Sequence, residues 1–189
     1  RCYGTDQSQV IINASALNSG LRHGGISGVL KHIPGHGRAK LDSHLALPKV
    51  LLDQAVLEDT DFSVFKELKE MDMGMTAHLI FDQLDPKNPA TQSPTVINMI
   101  RNEIGFTGLL ITDDISMNAL EGNLKTRALK ALGAGCDIVL HCNGVLQEMK
   151  LLHQNSTELA GNSLDRAKLS INNRPTPVSI DILQLKEEF

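Results

Sequence analysis

The feature that most constrains the fold is a regular alternation of short apolar runs with longer helical patterns. The runs begin near positions 26, 73, 109 and 137, and each is followed by apolar residues at helical spacing. Because strand–helix–strand succession pairs the strands in parallel and leaves the helices outside the sheet, the sequence predicts an α/β fold. Four such units form either half of a (β/α)8 TIM-type barrel or a small doubly wound sheet.

Polar residues at the ends of the apolar runs favour the barrel. The four ends are Lys31-His32, Ala77-His78, Asp113-Asp114 and His141-Cys142-Asn143. Ligands bind at the carboxyl ends of strands in barrels and in open α/β sheets alike. Because all four ends carry reactive or hydrogen-bonding groups, we expect them to meet around one site at the mouth of a barrel.

Local patterns predict the remaining elements. Helices are expected at about 8–22, 53–70, 94–103, 116–132, 145–159 and 163–171, and strands at about 26–31, 73–80, 109–112 and 137–141. The barrel domain is therefore placed at 1–171. Residues 172–189, which contain Pro175 and Pro177, are expected to form an extended C-terminal tail.

Composition and charge exclude several classes of function. The hydrophobic content of 41% and charged content of 21% are ordinary for a globular domain. The net charge of −4 argues against a nucleic-acid partner, which needs a basic face. No apolar stretch approaches the roughly 20 residues of a membrane span. Cys2, Cys136 and Cys142 lack metal-binding spacing, and buried free thiols are expected for the last two, which suits a reducing, cytoplasmic compartment.

A loop rich in glycine and histidine runs from Ile33 to about Leu47. Its histidines are not spaced as a helical pair of ligands, and no second Cys/His cluster completes a compact site, so no metal is expected. Its glycines suggest a tight turn beside a ligand. Asp42 and His44 share one side of an extended loop, where a carboxylate orients an imidazole for acid/base catalysis. A solvated Asp and His in a surface loop are the alternative.

Two adjacent carboxylates, Asp113 and Asp114, follow the apolar run at 109–112. Buried carboxylates are costly unless they are paired or used in catalysis, so their position at the end of a strand indicates a functional site. We expect one of them to face the pocket while the other caps the following helix, because Asp is a favourable N-cap residue. The alternative is that both only cap.

Five sequence blocks together resemble one family, the bacterial β-N-acetylhexosaminidases of glycoside hydrolase family 3. The blocks are RCYGTD at 1–6, KHIPGHG with DSH at 31–44, MTAH at 75–78, TDDISM at 112–117 and AGCDIVLHCN at 134–143. They occur in the family's order, and the resemblance extends from Arg1 to about Leu152.

The resemblance implies the C-terminal part of a (β/α)8 barrel that removes terminal β-linked N-acetylglucosamine with retention of configuration. It makes Asp113 the nucleophile that forms a covalent glycosyl-enzyme, and His44 the acid/base residue oriented by Asp42. Substrate-binding roles are implied for Arg1, Lys31, His32, His78 and Met117. Most retaining glycosidases use two carboxylates; a His–Asp dyad is particular to this subgroup, and imidazole can both donate to the leaving oxygen and accept from water.

The resemblance also sets expectations about partners. It implies no cofactor and no metal, and its natural substrates are peptidoglycan-derived muropeptides with terminal N-acetylglucosamine, recycled in the cytoplasm. Neither a nucleic acid nor a membrane is expected as a partner.

The chain departs from the family pattern in two places. About three further βα units precede the Arg1 block in the family barrel and are missing here, so we expect a partial barrel that needs a complementing N-terminal half. Arg38-Ala39 also replaces the Asp-Thr often seen after GHG. The alternatives to a glycosidase are a non-catalytic barrel remnant or interaction module and, less favoured, a glycoside phosphorylase.

Overall fold

The architecture is a parallel β-sheet covered by helices, in a computed structural model that describes residues 2–41, 46–179 and 181–188. In chain order the elements are α1 (Gln7–His23), β1 (Val29–Ile33), β2 (Lys49–Val50), α2 (Gln54–Leu57), a π-helical segment (Glu58–Phe62), α3 (Ser63–Glu67), β3 (Met73–Thr76), β4 (Ile80–Phe81), a 3-10 turn (Ala90–Gln92), α4 (Pro94–Asn102), β5 (Leu109–Asp114), α5 (Leu124–Ala134), β6 (Ile138–Leu140), α6 (Leu146–Asn155), α7 (Gly161–Asn172) and α8 (Ile182–Glu188).

The main sheet has the order β1-β3-β5-β6, and every neighbouring pair is parallel. This order follows the chain without the reversal that defines the switch point of a doubly wound sheet. The contacts between α1 and α3, between α4 and α5, and between α5 and α6 link successive helices. The described strands and helices therefore have the arrangement of consecutive units of a β/α barrel. A separate two-stranded parallel ribbon joins β2 to β4.

The hydrophobic core lies between the sheet and its helices. The ring of Phe106 is fully buried and lies against the strand β3 backbone at Gly74, where an added Cβ would come within 2.9 Å of the ring. Glycine is therefore required at this position for the ring to pack on the strand. The guanidinium of Arg101, in α4, lies 5.7 Å from the centre of the same ring, on its face.

At the amino-terminal ends of the strands, the buried carboxylate of Asp137 forms hydrogen bonds with three elements, α4, β5 and α7. Its Oδ2 accepts hydrogen bonds from Arg101 at 2.7 Å and from the backbone N–H of Leu110 at 2.8 Å. Its Oδ1 accepts from Ser163 at 2.6 Å and Arg166 at 2.9 Å, both in α7. Because a buried charge is stable only when it is paired and hydrogen-bonded, this network holds α7 beneath the strands.

The segment after α7 continues past the amino-terminal ends of the strands. Asn173 donates from its side chain to Asp72, and its carbonyl accepts from Arg22, which also forms a 2.7 Å ion pair with Asp72. Pro177 packs so closely on Gly25, which has φ +80°, that an added Cβ would lie 2.6 Å from the proline backbone. The chain past the barrel domain is thereby tied to the end of α1.

Three differences from the sequence expectations have identifiable causes. The helix expected at 116–132 begins only at Leu124, with Asn123 as its N-cap, because the backbone from Ser116 to Met117 turns around Asp114. The strand expected at 73–80 divides, since Ile80 pairs with β2 instead of the main sheet. The tail is extended only as far as residue 179, and α8 follows.

The cysteine expectation is half right. Cys136 is buried, and burial raises the pKa of its thiol to about 12, which makes it unreactive. Cys142 is exposed, because β6 ends at Leu140 and the chain turns outward beyond it. Among the described residues, no helix combines the length and apolar character needed to cross a membrane.

Candidate active site

The carboxylate of Asp113 lies at the carboxyl end of β5, and its side chain is 17% exposed. Its Oδ2 is 3.4 Å from Nε2 of His32, which belongs to β1 on the far side of β3. Its Oδ1 accepts the backbone N–H of Asp114 at 2.8 Å. The ring of His36 lies beside the ring of His32, with 5.5 Å between the two ring centroids. The Lys31-His32 strand end and the Asp113 strand end therefore meet, as the parallel arrangement predicts.

These contacts determine the charge of Asp113. Partial burial acts to raise the pKa of the carboxyl, but the hydrogen bonds from His32 and the Asp114 N–H, together with the electrostatic attraction of His32, outweigh it and hold the pKa at about 2. The group is therefore ionised at every pH at which the protein would act.

Asp114, next in sequence, has a different environment. Its Oδ1 accepts the backbone N–H of Ser116 at 3.0 Å and that of Cys142 at 3.2 Å, while its Oδ2 accepts the Ser116 hydroxyl at 2.7 Å. This carboxylate closes the turn after β5 and fastens it to the end of β6. Of the two carboxylates, Asp113 is the one with an ionisable partner from another strand end.

His78 lies just beyond β3 and is fully buried. Its Nδ1 is 2.8 Å from the hydroxyl of Thr91, and its Nε2 is 3.0 Å from the carbonyl oxygen of Asp114. Burial lowers the pKa of the ring, despite the neighbouring carboxylates that act to raise it. Both nitrogens thus face protein groups.

Met117 is 7% exposed, and its backbone N–H donates to the Asp114 carbonyl at 3.1 Å. Its own carbonyl, with those of Ile115 and Ser116, accepts from one nitrogen of Arg127 at 3.1 to 3.3 Å. Arg127 thus supports the turn that follows the two carboxylates from its position in α5.

Lys31 is exposed in β1. The predicted site residues Arg1, Asp42 and His44 lie outside the described residues. The chain that leads toward Asp42 is anchored at Arg38, whose Nε donates to Asp61 at 2.6 Å and whose Nη2 donates to Thr60 at 3.0 Å, both in the π-helical segment. The substituted Arg38 therefore has a partner of its own in this chain.

Sequence reasoning did not identify two supporting residues, Thr91 and Arg127. Thr91 lies in the 3-10 turn of a loop that carries no motif, and Arg127 is one of several polar residues in the helix α5, with no sequence feature that singles it out. Their roles depend on the residues they contact across the fold. Within the described part of the chain, no three histidine, cysteine or acidic residues are grouped as metal ligands would be.

Comparison with known proteins identifies the family. A model described as the glycosyl hydrolase family 3 N terminal domain matches residues 1–172. A β-hexosaminidase of Methylobacillus flagellatus is 35% identical over 172 residues, covering 88% of this chain and 49% of its own length. A β-hexosaminidase of Tolumonas auensis is 36% identical, and the match covers 76% of this chain and 44% of the relative's length. The chain spans about half the length of these curated relatives.

Solved structures agree with the fold. A glycoside hydrolase family 3 β-N-acetylglucosaminidase from Paenibacillus sp. str. FPU-7 superposes with a TM-score of 0.83 at 28% identity, covering 95% of this chain and 38% of that one. NagZ from Neisseria gonorrhoeae, in complex with N-trifluoroacetyl-D-glucosamine, superposes with a TM-score of 0.78 at 30% identity. The match covers 97% of this chain and 52% of the NagZ chain. The prediction of part of a β/α barrel is confirmed.

Proposed function

Because this chain belongs to glycoside hydrolase family 3, we propose that it carries the nucleophile and the acid/base residue of a retaining exo-β-N-acetylglucosaminidase. The observation that carries the proposal is the environment of Asp113. A carboxylate with a pKa of about 2 at the end of a barrel strand, partly exposed and beside His32, is a charged and accessible nucleophile.

The chemistry proceeds in two displacements. Asp113 attacks the anomeric carbon, the bond to the leaving oxygen breaks, and that oxygen takes the proton of His44. His44, supported in its charged form by Asp42, is then neutral and accepts a proton from water, whose oxygen displaces Asp113 and restores the carboxylate. Two displacements at one carbon retain its configuration.

Lys31, His32 and Arg1 are proposed to hold sugar hydroxyls. The exposed ammonium of Lys31 and the ring of His32 lie at the strand end nearest Asp113, and charged donors form strong hydrogen bonds to hydroxyl oxygens. His78 and Met117 are both buried, and each donates a hydrogen bond to the backbone carbonyl of Asp114.

The substrate is proposed to be peptidoglycan-derived muropeptides with terminal N-acetylglucosamine, and the compartment the cytoplasm. The sugar is supported by the relatives, since the similar structures are β-N-acetylglucosaminidases and one holds an N-acylated glucosamine. The muropeptide and the compartment are supported only by the motif resemblance and the free thiols. Cell fractionation and turnover of purified muropeptides test these two points.

Covalent trapping tests the proposed nucleophile. The complete protein, meaning here this chain complemented with the N-terminal barrel units that its family relatives carry, is incubated with a 5-fluoro N-acetylglucosaminyl fluoride and digested for mass spectrometry. We expect the sugar on Asp113, and we expect Asp113→Ala to lose nearly all turnover of aryl β-N-acetylglucosaminides, at about 1.4 kcal/mol of transition-state stabilisation per tenfold in rate. A tag on Asp114 would contradict the assignment.

A further inference from the structure

We propose that His78 is a positioning residue for the nucleophile and that its ring does not touch the sugar. The proposal rests on the proposed function, because it takes Asp113 as the reacting group. His78 lies two residues beyond the end of β3, the strand between the one that carries His32 and the one that carries Asp113. It is therefore placed to set the geometry between them.

The hydrogen bond to Asp114 defines the tautomer of the ring. A carbonyl oxygen only accepts, so Nε2 of His78 carries the proton that it donates to the Asp114 carbonyl across 3.0 Å. Because the ring is fully buried and its pKa is lowered, it is neutral, and Nδ1 is then an acceptor.

The partner of Nδ1 completes a directed chain of hydrogen bonds. Thr91 donates its hydroxyl proton to Nδ1 across 2.8 Å, and the Thr91 oxygen accepts from the hydroxyl of Thr76 at 2.8 Å. The Thr91 hydroxyl also lies 3.0 Å from the Ala77 carbonyl, the alternative acceptor of its single proton. Donation to Nδ1 is the arrangement in which the unprotonated ring nitrogen has a donor, while the Ala77 carbonyl keeps the backbone N–H of Thr91. Thr76 and Thr91 are both fully buried, so water does not compete for these groups.

This chain of hydrogen bonds ends at Asp114, the residue whose backbone N–H holds the proposed nucleophile. The carbonyl of Asp114 accepts from His78 and from the backbone N–H of Met117, and the N–H of Asp114 donates to Oδ1 of Asp113. Fixing the main chain at Asp114 therefore fixes the N–H that orients the Asp113 carboxylate. With both ring nitrogens engaged and no exposed surface, His78 has no group left for a sugar hydroxyl.

The decisive experiment compares variants of the complete protein on an aryl β-N-acetylglucosaminide. His78→Phe keeps a ring of similar size and removes both nitrogens, while His78→Gln retains a donor and an acceptor. We expect His78→Phe to lower kcat about 100-fold, as does removal of one preorganised donor, with KM changed by less than about threefold. His78→Gln should recover at least about tenfold of that loss.

Two further variants sharpen the interpretation. Thr91→Val removes the donor to Nδ1 and should lower kcat in the same direction with KM unchanged. Lys130→Met, exposed in α5, is the surface control and should leave both constants at their wild-type values. If His78→Phe does not fold by circular dichroism, Thr91→Val carries the test: it must show the loss of kcat, and His78→Gln must show a smaller one.

Trapping by the fluorinated sugar separates this proposal from the proposed function. If the wild-type tag is not on Asp113, the proposed function fails. If the tag is on Asp113 but the His78 variants are trapped at the wild-type rate, the positioning role is wrong. A rise in KM at unchanged kcat would also overturn it, because that result identifies a sugar-binding residue.

Discussion

At the scale of single residues, Asp113 and Asp114 differ in what surrounds each carboxylate. Asp114 is bound by Ser116 and by the backbone of Cys142, whereas Asp113 faces the imidazole of His32. The same side chain therefore serves as a structural acceptor at position 114 and is a charged, partly exposed group, the proposed nucleophile, at position 113.

The pKa of Asp113 leads to a prediction about pH. Its folded-state pKa of about 2 lies below the ordinary 3.8, so ionisation of this group stabilises the fold above the ordinary value, and that contribution is lost as pH falls from there toward 2. We expect the rate of trapping by the fluoro sugar, which needs no acid catalyst, to stay flat from about pH 7 to about pH 4. A decline centred near the ordinary carboxyl pKa would contradict this.

His44 carries a second prediction at this scale. His44→Ala should reduce turnover of substrates with poor leaving groups far more than that of activated aryl glycosides, because only the former need a proton in the first step. The measurement is kcat/KM across aryl glycosides of graded leaving-group pKa. Equal losses across the series would show that His44 is structural or binds substrate.

At the scale of elements, the turn between β5 and α5 is stabilised by side chains of the two elements that it connects. Asp114, the last residue of β5, accepts the backbone N–H and the hydroxyl of Ser116, and Arg127 of α5 donates to the carbonyls of Ile115, Ser116 and Met117. This connection stands where the sequence pattern predicts a helix, and it directly follows the strand that ends in Asp113 and Asp114.

Arg127 provides the prediction for this element. Arg127→Met keeps much of the side-chain volume but leaves three part-buried carbonyls without their donor, which should lower the free energy of unfolding by about 1–3 kcal/mol and reduce kcat. Denaturant unfolding of the complete protein, with turnover of an aryl glycoside, measures both. Lys130→Met, exposed in the same helix, is the control, and a loss of similar size there would remove the special role of Arg127.

At the scale of the whole molecule, the sheet of the described residues ends at β1 and β6. Val29 at the first strand is 37% exposed, all of β6 is only partly buried, and Leu146 and Met149 of α6 are 55% and 47% exposed. Open edges and uncovered apolar side chains are the surfaces that further barrel units would bury.

We therefore predict that residues 1–189 alone are oligomeric or poorly soluble and inactive. Adding the upstream barrel half in trans should restore a monodisperse complex and turnover, because it covers both edges. Size-exclusion chromatography with an activity assay measures this, and the assay is run with and without phosphate to compare hydrolysis with phosphorolysis. An active, monodisperse monomer of this chain would show that the half-barrel argument is wrong.

The sequence by itself determined the parallel α/β succession, the four polar strand ends and the pair of candidate carboxylates, because periodicity and residue order along the chain are local information. Tertiary structure alone decided that Asp113 faces His32, that His78 turns inward to Thr91 and Asp114, and that the helix after β5 begins at Leu124. The first two depend on hydrogen bonds or ion pairs between segments far apart in sequence, whose energy exists only once the strands are aligned. The third depends on the Asp114 carboxylate, which the nearby Ser116 and the distant Cys142 both hydrogen-bond.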